Sequence, residues 1–248
     1  MPLLTPLPRS HDAELLDGPI ADLGALADNL RDLRALDRYL GGMALTWRAL
    51  RPMLRDLPPG AQATLLDVAT GGADGPGLLA ARARRDGYDL RPFASDRLAD
   101  VLRLARASGA HFPLVQHDAL AIPLADASVD FVTCSLALHH FDPPAAAALL
   151  RELARVARRG AIVNDLRRAR LPYWGARLLA LGPWHAMARH DGPLSVLRAY
   201  TLAEARDLAA DAGLPNARVE ARPLFRMLIV VRKTPPLLAG YHPVMPTR

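Results

Sequence analysis

Short apolar segments alternate with segments of helical periodicity from Thr64 onward, and this alternation constrains the fold more than any other feature. The apolar segments read TLLDVA, LRPFAS, FPLVQ, VDFVTCSL and AIVND. Strands that are separated by helices predict βαβ units on a parallel sheet. The last two apolar segments, ARVEAR and LFRMLIVV, have only Pro223 between them, which forces an antiparallel hairpin. We therefore predict an α/β fold, a doubly wound and mostly parallel sheet with an antiparallel C-terminal hairpin.

The roles of the segments before and after the α/β region are assigned from their residue patterns. Residues 1–60 begin with a Pro-rich stretch and continue with leucines at three- and four-residue steps, and a Gly-Gly pair predicts a break between two helices. We interpret this segment as an extension with a helical lid, because its apolar stripe needs a surface or a ligand to cover it. The α/β domain is assigned to residues 61–235, with a helical insertion at 171–200, and residues 236–248 form a tail.

Composition disfavours several functional classes. The sequence contains no run of about 18 apolar residues, so we expect no membrane-spanning helix. A single cysteine, Cys134, excludes an intramolecular disulfide. The first residues lack a basic segment followed by an apolar core, so we expect a cytoplasmic location rather than secretion. All but one of the 31 basic residues are arginine, and they are dispersed rather than interleaved with stacking aromatics, so nucleic acid is not an expected partner.

Acidic residues and glycines occupy the loops at the carboxyl ends of the predicted strands, which is the edge where open α/β sheets bind ligands. The first loop, LLDVATGGADGPG, places Asp67 at the end of a strand and Gly71 in a turn that allows close backbone approach. Asp67 and Asp74 make this loop unfavourable for a pyrophosphate and suitable for a cationic ligand. Asp96 can accept two ribose hydroxyls, and Asp118 can accept an adenine amino group.

The ordered set of loop segments resembles the class I S-adenosylmethionine-dependent methyltransferases. The segments that carry the resemblance are DVATGGAD, HDALAIPLADASVDFV and SLALHHF, within about residues 60–232. The resemblance is closest to the ubiquinone/menaquinone-methyltransferase-like small-molecule branch, although Ala69 and Ala73 stand where glycines are usual. It implies a Rossmann-like fold with S-adenosylmethionine as the cofactor. The cofactor-binding residues that it implies are Asp67, Ala69, Gly71, Asp96, Arg97, Asp118, Ala119 and Ser135.

Two histidines and an aspartate follow neighbouring strands and are the candidate catalytic residues. His139 and His140 follow the fourth strand of the parallel region, and Asp165 ends the fifth. A phenol or sugar hydroxyl must lose its proton during methyl transfer, and a histidine that a carboxylate orients is suited to accept it. We predict catalytic roles for all three residues and favour His140. In the alternative interpretation, one histidine packs under the next helix and Asp165 caps a turn. No metal site is predicted.

The predicted reaction is methyl transfer to an apolar or aromatic small molecule of phenolic, polyketide or quinone-like structure, at oxygen rather than carbon. Tyr173, Trp174 and Trp184 lie in a Leu-rich insertion that suits such an acceptor, although these rings could equally dock the insertion to the sheet. The Asp-Pro-Pro sequence at 142–144 is interpreted as a helix start, because Ala145 replaces the aromatic residue that amino-methylating enzymes have there. Two alternatives stay open, a cofactor-binding protein without catalysis and an RNA methyltransferase that uses the arginines.

Overall fold

A single sheet forms the centre of the computed structural model, which describes residues 6–18, 22–58 and 60–233. Its strands are β1 (Gln62–Val68), β2 (Asp89–Asp96), β3 (Leu114–Gln116), β4 (Val129–Ser135), β5 (Ala157–Leu166), β6 (Arg218–Arg222) and β7 (Arg226–Arg232). Across the sheet they are ordered β3-β2-β1-β4-β5-β7-β6. Strands β1 to β5 run parallel, and β7 pairs antiparallel with both β5 and β6. This architecture confirms the predicted α/β fold class.

Helices cover both faces of the sheet. They are α1 (Leu23–Tyr39), α2 (Gly42–Leu54), α3 (Asp74–Arg85), α4 (Ala99–Ala107), α5 (Pro143–Val156), α6 (Arg170–Leu179), α7 (Ala186–Arg198) and α8 (Leu202–Asp211). Short 3₁₀ helices form at Leu15–Asp17 and Leu138–His140. Gly41 links α1 to α2 with a φ of +68°, a left-handed conformation that favours glycine, so the predicted break at the Gly-Gly pair is confirmed.

Apolar side chains at alternate strand positions form a core on each face. On one face, Val68, Val132 and Val163 pack with α5 and α8. On the other face, Leu65 and Phe131 pack with α2 and α3. The central strands are therefore apolar on both sides, as is typical of parallel sheets that helices cover. This packing fixes the carboxyl ends of β1, β4 and β5 at one edge.

Strand β5 begins earlier than the sequence predicted. The expected strand was AIVND at 161–165, whereas α5 ends at Val156 and β5 starts directly after it. Gly160 consequently lies inside the strand. A Cβ atom there would lie 2.7 Å from the carbonyl oxygen of Val231 and 2.8 Å from the Sδ atom of Met53. The glycine therefore allows α2 and β7 to approach β5 closely and does not mark a turn.

The start of α5 differs in one detail from its prediction. Asp142 occupies the N-cap position and Pro143 follows it, as expected, but the Asp142 side chain accepts no hydrogen bond from the helix backbone. Its carboxylate instead accepts a hydrogen bond from Nη1 of Arg9 at 3.1 Å. Arg9 therefore binds the carboxylate that was expected to cap the N-terminus of α5.

The predicted insertion at 171–200 contains α6 and α7, with α6 beginning at Arg170. The tail assigned to 236–248 lies outside the described residues, and the domain boundaries stay a prediction. No helix in the described part of the chain combines the length and the apolar character that crossing a bilayer requires.

Candidate active site

The order of the strands reverses between β1 and β4, so the carboxyl ends of these neighbouring strands open a crevice. Strand β2 lies on the far side of β1, and β5 lies on the far side of β4. Ligands of doubly wound sheets bind at such a switch point. Asp67, Asp96 and Ser135 lie at the ends of β1, β2 and β4, and Asp165 lies near the end of β5. The structure therefore brings these predicted site residues to one edge.

Asp67 is a buried carboxylate at the end of β1. Its Oδ2 atom accepts a hydrogen bond from Oγ1 of Thr70 at 2.7 Å, and its Oδ1 atom accepts one from Oγ1 of Thr133 at 2.6 Å. Burial raises the pKa of Asp67 to about 6, and the nearby carboxylates of Asp96 and Asp37 act in the same direction. A cationic group at this place would stabilise the ionised form. The electrostatics of the crevice therefore fit a ligand with a sulfonium and an ammonium group.

Three of the five residues at 69–73, in the loop after β1, have a left-handed backbone conformation. Ala69, Gly71 and Ala73 have φ values of +54°, +55° and +55°. Two of these residues are alanines, although glycine adopts this conformation at lower cost. They are the two positions where the sequence has alanine in place of the family's usual glycine. The N–H group of Gly71 donates to Oδ2 of Asp96 at 3.0 Å. Asp96 therefore joins this loop to β2, and its Oδ1 atom also accepts the N–H group of Leu98 at 3.1 Å.

Among the other predicted cofactor residues, Arg97 follows β2, Asp118 and Ala119 follow β3, and Ser135 ends β4. Arg97 and Asp118 are exposed, and Ala119 is buried. Asp118 accepts the N–H group of Leu120 at 2.9 Å. The hydroxyl of Ser135 is buried and has no hydrogen-bond partner among the described residues. Because a buried hydroxyl without a partner is costly, this atom suits contact with a polar group of a bound ligand.

The two candidate histidines occupy the 3₁₀ helix after β4, with ring centroids 4.3 Å apart. Nδ1 of His139 lies 2.7 Å from Oδ1 of Asp165. Nδ1 of His140 lies 2.7 Å from Oδ1 of Asp17. Asp165 therefore pairs with His139 and not with the favoured His140, because successive residues of a 3₁₀ turn project in different directions.

Asp165 combines the roles that the sequence left as alternatives. Besides the His139 ring, it accepts the backbone N–H groups of His139 at 3.2 Å and of Leu166 at 2.6 Å. Burial by itself would raise the pKa of Asp165, but the neighbouring His139 and these hydrogen bonds hold it below its usual value. The carboxylate is thus ionised, and it fixes both the turn and the ring.

Sequence reasoning missed Glu14 and Asp17, which complete the cluster of ionisable groups. Oε1 of Glu14 lies 3.6 Å from Nε2 of His139, and Oε2 lies 3.8 Å from Nε2 of His140. Glu14 is buried, which raises its pKa to about 7 although His140 opposes the shift. The two acids lie three residues apart in a stretch that the sequence marks only as Pro-rich. A local pattern could not reveal their partners, which follow more than 120 residues later.

Residues 6–18, here called the N-terminal strap, are fastened across α7. The N–H groups of Leu15 and Leu16 donate to the two oxygens of Asp191 at 2.9 and 3.2 Å. Nη1 of Arg198 donates to Oδ2 of Asp17 at 2.8 Å, and Nη2 donates to the carbonyl oxygen of His140. The strap therefore depends on α7 for its position beside the histidines.

The aromatic residues and histidines of the insertion do not join this cluster. Trp174 is 62% exposed, and Nε1 of Trp184 donates to the carbonyl oxygen of Leu179 at 2.7 Å. Nδ1 of His185 accepts the N–H group of Met187, and His190 pairs with Asp191. An open cleft of about 510 Å³ lies between α6, α7 and the strap. The residues that line this cleft include Tyr173, Arg177, Leu181, Leu194 and Leu197.

Comparison with known proteins gives one family and a set of similar folds. Residues 66–163 match the family model described as a methyltransferase domain. The comparison with curated protein sequences gives no match. A structure from Nostoc punctiforme assigned as an O-methyltransferase has a TM-score of 0.57 and 19% identity, covering 84% of this chain and 60% of that chain.

Two further structures show the same architecture. A chain from the complex of the Haloferax volcanii Trm112 methyltransferase activator with a methyltransferase has a TM-score of 0.55 and 18% identity, covering 87% of this chain and 99% of that chain. LepI in complex with S-adenosylmethionine has a TM-score of 0.53 and 18% identity, covering 75% of this chain and 46% of that chain. Identities this low establish the fold alone, and the family match indicates a methyltransferase domain within residues 66–163.

Proposed function

We propose that this enzyme transfers a methyl group to a hydroxyl oxygen of an apolar or aromatic small molecule, of phenolic, polyketide or quinone-like structure. The observation that carries the proposal is the pair of histidines next to the strand ends, each held through Nδ1 by a carboxylate. Each Nε2 atom thereby keeps its lone pair, and both Nε2 atoms lie on the side of Glu14. A small-molecule acceptor also agrees with the resemblance to the ubiquinone/menaquinone-methyltransferase-like branch.

The crevice between β1 and β4 would hold the cofactor. When bound, S-adenosylmethionine supplies a methyl group that its sulfonium makes electrophilic. Asp96 would accept the ribose hydroxyls, and Asp118 would accept the adenine amino group. The buried charge of Asp67 and the unpaired hydroxyl of Ser135 would face the cationic part of the ligand. Ala69, Gly71, Arg97 and Ala119 would contribute backbone and packing contacts around it.

The acceptor hydroxyl would lose its proton to the histidine pair. The side chain of His140 is 21% exposed and that of His139 is 4% exposed, so His140 is the ring that an acceptor reaches more easily. Asp17 holds the proton on Nδ1 of His140 and keeps the lone pair on Nε2. Asp165 and His139 would position the turn beneath it. Most of the rate enhancement would come from positioning, since methyl transfer is an in-line displacement.

The strap and the insertion would form the wall of the acceptor site. The strap covers the cluster from one side, which limits the access of water to the reacting oxygen. Leu181, Leu194 and Leu197 line the cleft beside the strap, together with the charged residues Asp12, Arg177 and Arg189. The ring of an apolar or aromatic acceptor would contact the leucines.

The proposal is tested with pairs of acceptors that differ only at the reacting oxygen. Phenolic, polyketide and quinol compounds are incubated with the enzyme and S-adenosylmethionine, and mass spectrometry detects the gain of one methyl group. We expect methylation of the free phenols and none of the corresponding methyl ethers. Equal methylation of both members of a pair would place the new methyl on carbon and refute transfer to oxygen.

A further inference from the structure

We propose that Glu14, His139 and His140 form a binding site for one divalent transition-metal ion of the zinc and cobalt class. Together they offer one carboxylate and two imidazole nitrogens. First-row ions such as Zn²⁺ and Co²⁺ accept this mixture of donors. Mg²⁺ and Ca²⁺ prefer sites made of oxygen alone, so the donor set does not favour them.

The three side chains lie near coordinating geometry. One ligand atom from each residue lies within 4.8 Å of the other two. The carboxylate oxygens of Glu14 lie 3.6 Å from Nε2 of His139 and 3.8 Å from Nε2 of His140. Ligand atoms around a tetrahedral ion with bonds of about 2.1 Å lie about 3.4 Å apart. The carboxylate is therefore within a few tenths of an ångström of coordinating an ion together with each ring.

Both rings are oriented as metal-binding histidines are. Asp165 and Asp17 each lie 2.7 Å from an Nδ1 atom, which fixes the proton there and leaves the lone pair on Nε2. A carboxylate on the second ring nitrogen is the usual outer contact of a metal-bound histidine. One such ring is enough for a general base. Two rings that direct their lone pairs to a shared carboxylate therefore suit an ion better.

One carboxylate oxygen of Glu14 lacks the hydrogen-bond partner that a buried acceptor requires. Its Oε1 atom is buried and has no hydrogen-bond partner in the described part of the chain. At 3.6 and 3.8 Å, neither ring is within ordinary hydrogen-bond distance of the carboxylate. Acceptor atoms that face one another in a buried space are costly unless a cation lies between them. A metal ion would satisfy all three acceptors at once.

The charged groups around the His139 and His140 rings favour the binding of a divalent cation. Glu14, Asp17 and Asp165 contribute three carboxylates. Arg198 is the guanidinium nearest to them, with Nη1 at 2.8 Å from Asp17 and Nε at 3.8 Å from Glu14. The carboxylates of Glu14, Asp17 and Asp165 converge on the two rings, which favours a bound cation.

The metal site rests on the proposed function only in the catalytic role that we assign to the bound ion. As a Lewis acid it would lower the pKa of an acceptor hydroxyl bound to it. His140 would be a ligand while the ion is bound, and it would be the proton acceptor in the metal-free enzyme. Metal binding is measured without turnover, so the two proposals can fail separately.

The test is a cobalt titration of the full chain after treatment with a chelator. We expect one equivalent of Co²⁺ to bind with visible d–d absorption bands, Zn²⁺ to displace it, and Mg²⁺ to leave the bands unchanged. The variants E14Q and H140A should each weaken Co²⁺ binding at least tenfold. The matched control is H111A, which removes an exposed histidine outside the cluster. Circular dichroism of each variant verifies the fold.

Several results would overturn the metal site. These are a featureless titration, less than one equivalent bound, or binding that is unchanged in both E14Q and H140A. Full methyl transfer by chelator-treated enzyme that binds no Co²⁺ would refute the ion and leave the proposed function standing. Stoichiometric Co²⁺ binding that both variants abolish would support the ion even if no hydroxyl acceptor is methylated.

Discussion

Asp96 accepts the backbone N–H group of Gly71 at 3.0 Å and thereby connects the end of β2 to the loop after β1. The same carboxylate is the one expected to contact the ribose of the cofactor. Its other oxygen, Oδ1, accepts the N–H group of Leu98 at the start of α4. Loop position and ligand binding are therefore coupled through one side chain.

Replacing Asp96 with alanine should weaken S-adenosylmethionine binding about 10- to 100-fold, because hydrogen bonds to a charged group contribute about 1.5–3 kcal/mol. Asp96→Asn keeps one acceptor oxygen for Gly71 and should lose less affinity. Isothermal titration with S-adenosylmethionine measures both variants. Asp207→Asn, which alters an exposed carboxylate on α8, is the control. Unchanged affinity of a folded Asp96→Ala variant would refute the ribose assignment.

Replacing His140 with alanine should lower turnover about 10²- to 10⁴-fold and leave cofactor affinity nearly unchanged, as loss of a group that accepts a proton does. Asp17→Asn should act in the same direction with a smaller effect, because it disturbs the orientation of the ring and not its presence. Initial rates with a phenolic acceptor provide the measurement, and His111→Ala serves as the control. Near-normal turnover in both His140→Ala and His139→Ala would exclude the histidine pair from the reaction.

Asp67 should make the stability of the cofactor-free protein depend on pH. Burial raises its pKa from 3.8 to about 6, so the folded state holds this proton more tightly than the unfolded chain. The resulting stabilisation is fully present below about pH 4, decreases between pH 4 and 6, and is lost above the folded pKa. A shift of about two pKa units corresponds to about 3 kcal/mol. The free energy of unfolding of Asp67→Asn, relative to the wild type, should therefore rise by up to this amount between pH 4 and 7.

Urea denaturation at a series of pH values measures this difference. Asp207→Asn again provides the comparison, since its difference from the wild type should stay nearly constant over the same range. A constant difference for Asp67→Asn would show that the buried carboxyl does not titrate in this range.

Gly160→Ala should destabilise the fold by about 1–3 kcal/mol, the usual cost of an added methyl group in a packed core. The new Cβ atom would meet the carbonyl oxygen of Val231 at 2.7 Å, which is backbone and cannot move away easily. Gly192→Ala in α7 is the matched control, because its Cβ would meet no atom within 4 Å. The melting temperature reports both changes. Equal effects of the two substitutions would contradict the packing explanation.

The sequence predicted the residues whose positions follow from strand order. Asp67, Asp96 and Ser135 end neighbouring strands, so the alternation of strands and helices was enough to bring them to one edge. The approach of Asp165 to the histidines followed in the same way. The pairing of Asp165 with His139 rather than His140 could not be predicted in this way, because the direction of each ring depends on the geometry of one 3₁₀ turn.

Contacts between distant segments of the chain were beyond the reach of local patterns. Glu14 approaches His140 because α7 and the turn after β4 hold the strap, and no periodicity in the strap indicates this. The early start of β5 was missed for a related reason. Gly160 was expected to precede the strand, whereas Met53 and Val231 require a residue without a side chain at that position inside it.

The way in which the strap is fastened has a consequence for biosynthesis. Leu15 and Asp17 are synthesised before their partners Asp191 and Arg198, which follow more than 170 residues later. The strap must therefore wait unbound during translation, and closing so long a loop carries an entropic cost that local elements avoid. The contacts between the strap and α7 can consequently form only after α7 has been synthesised, shortly before β6 and β7 complete the sheet.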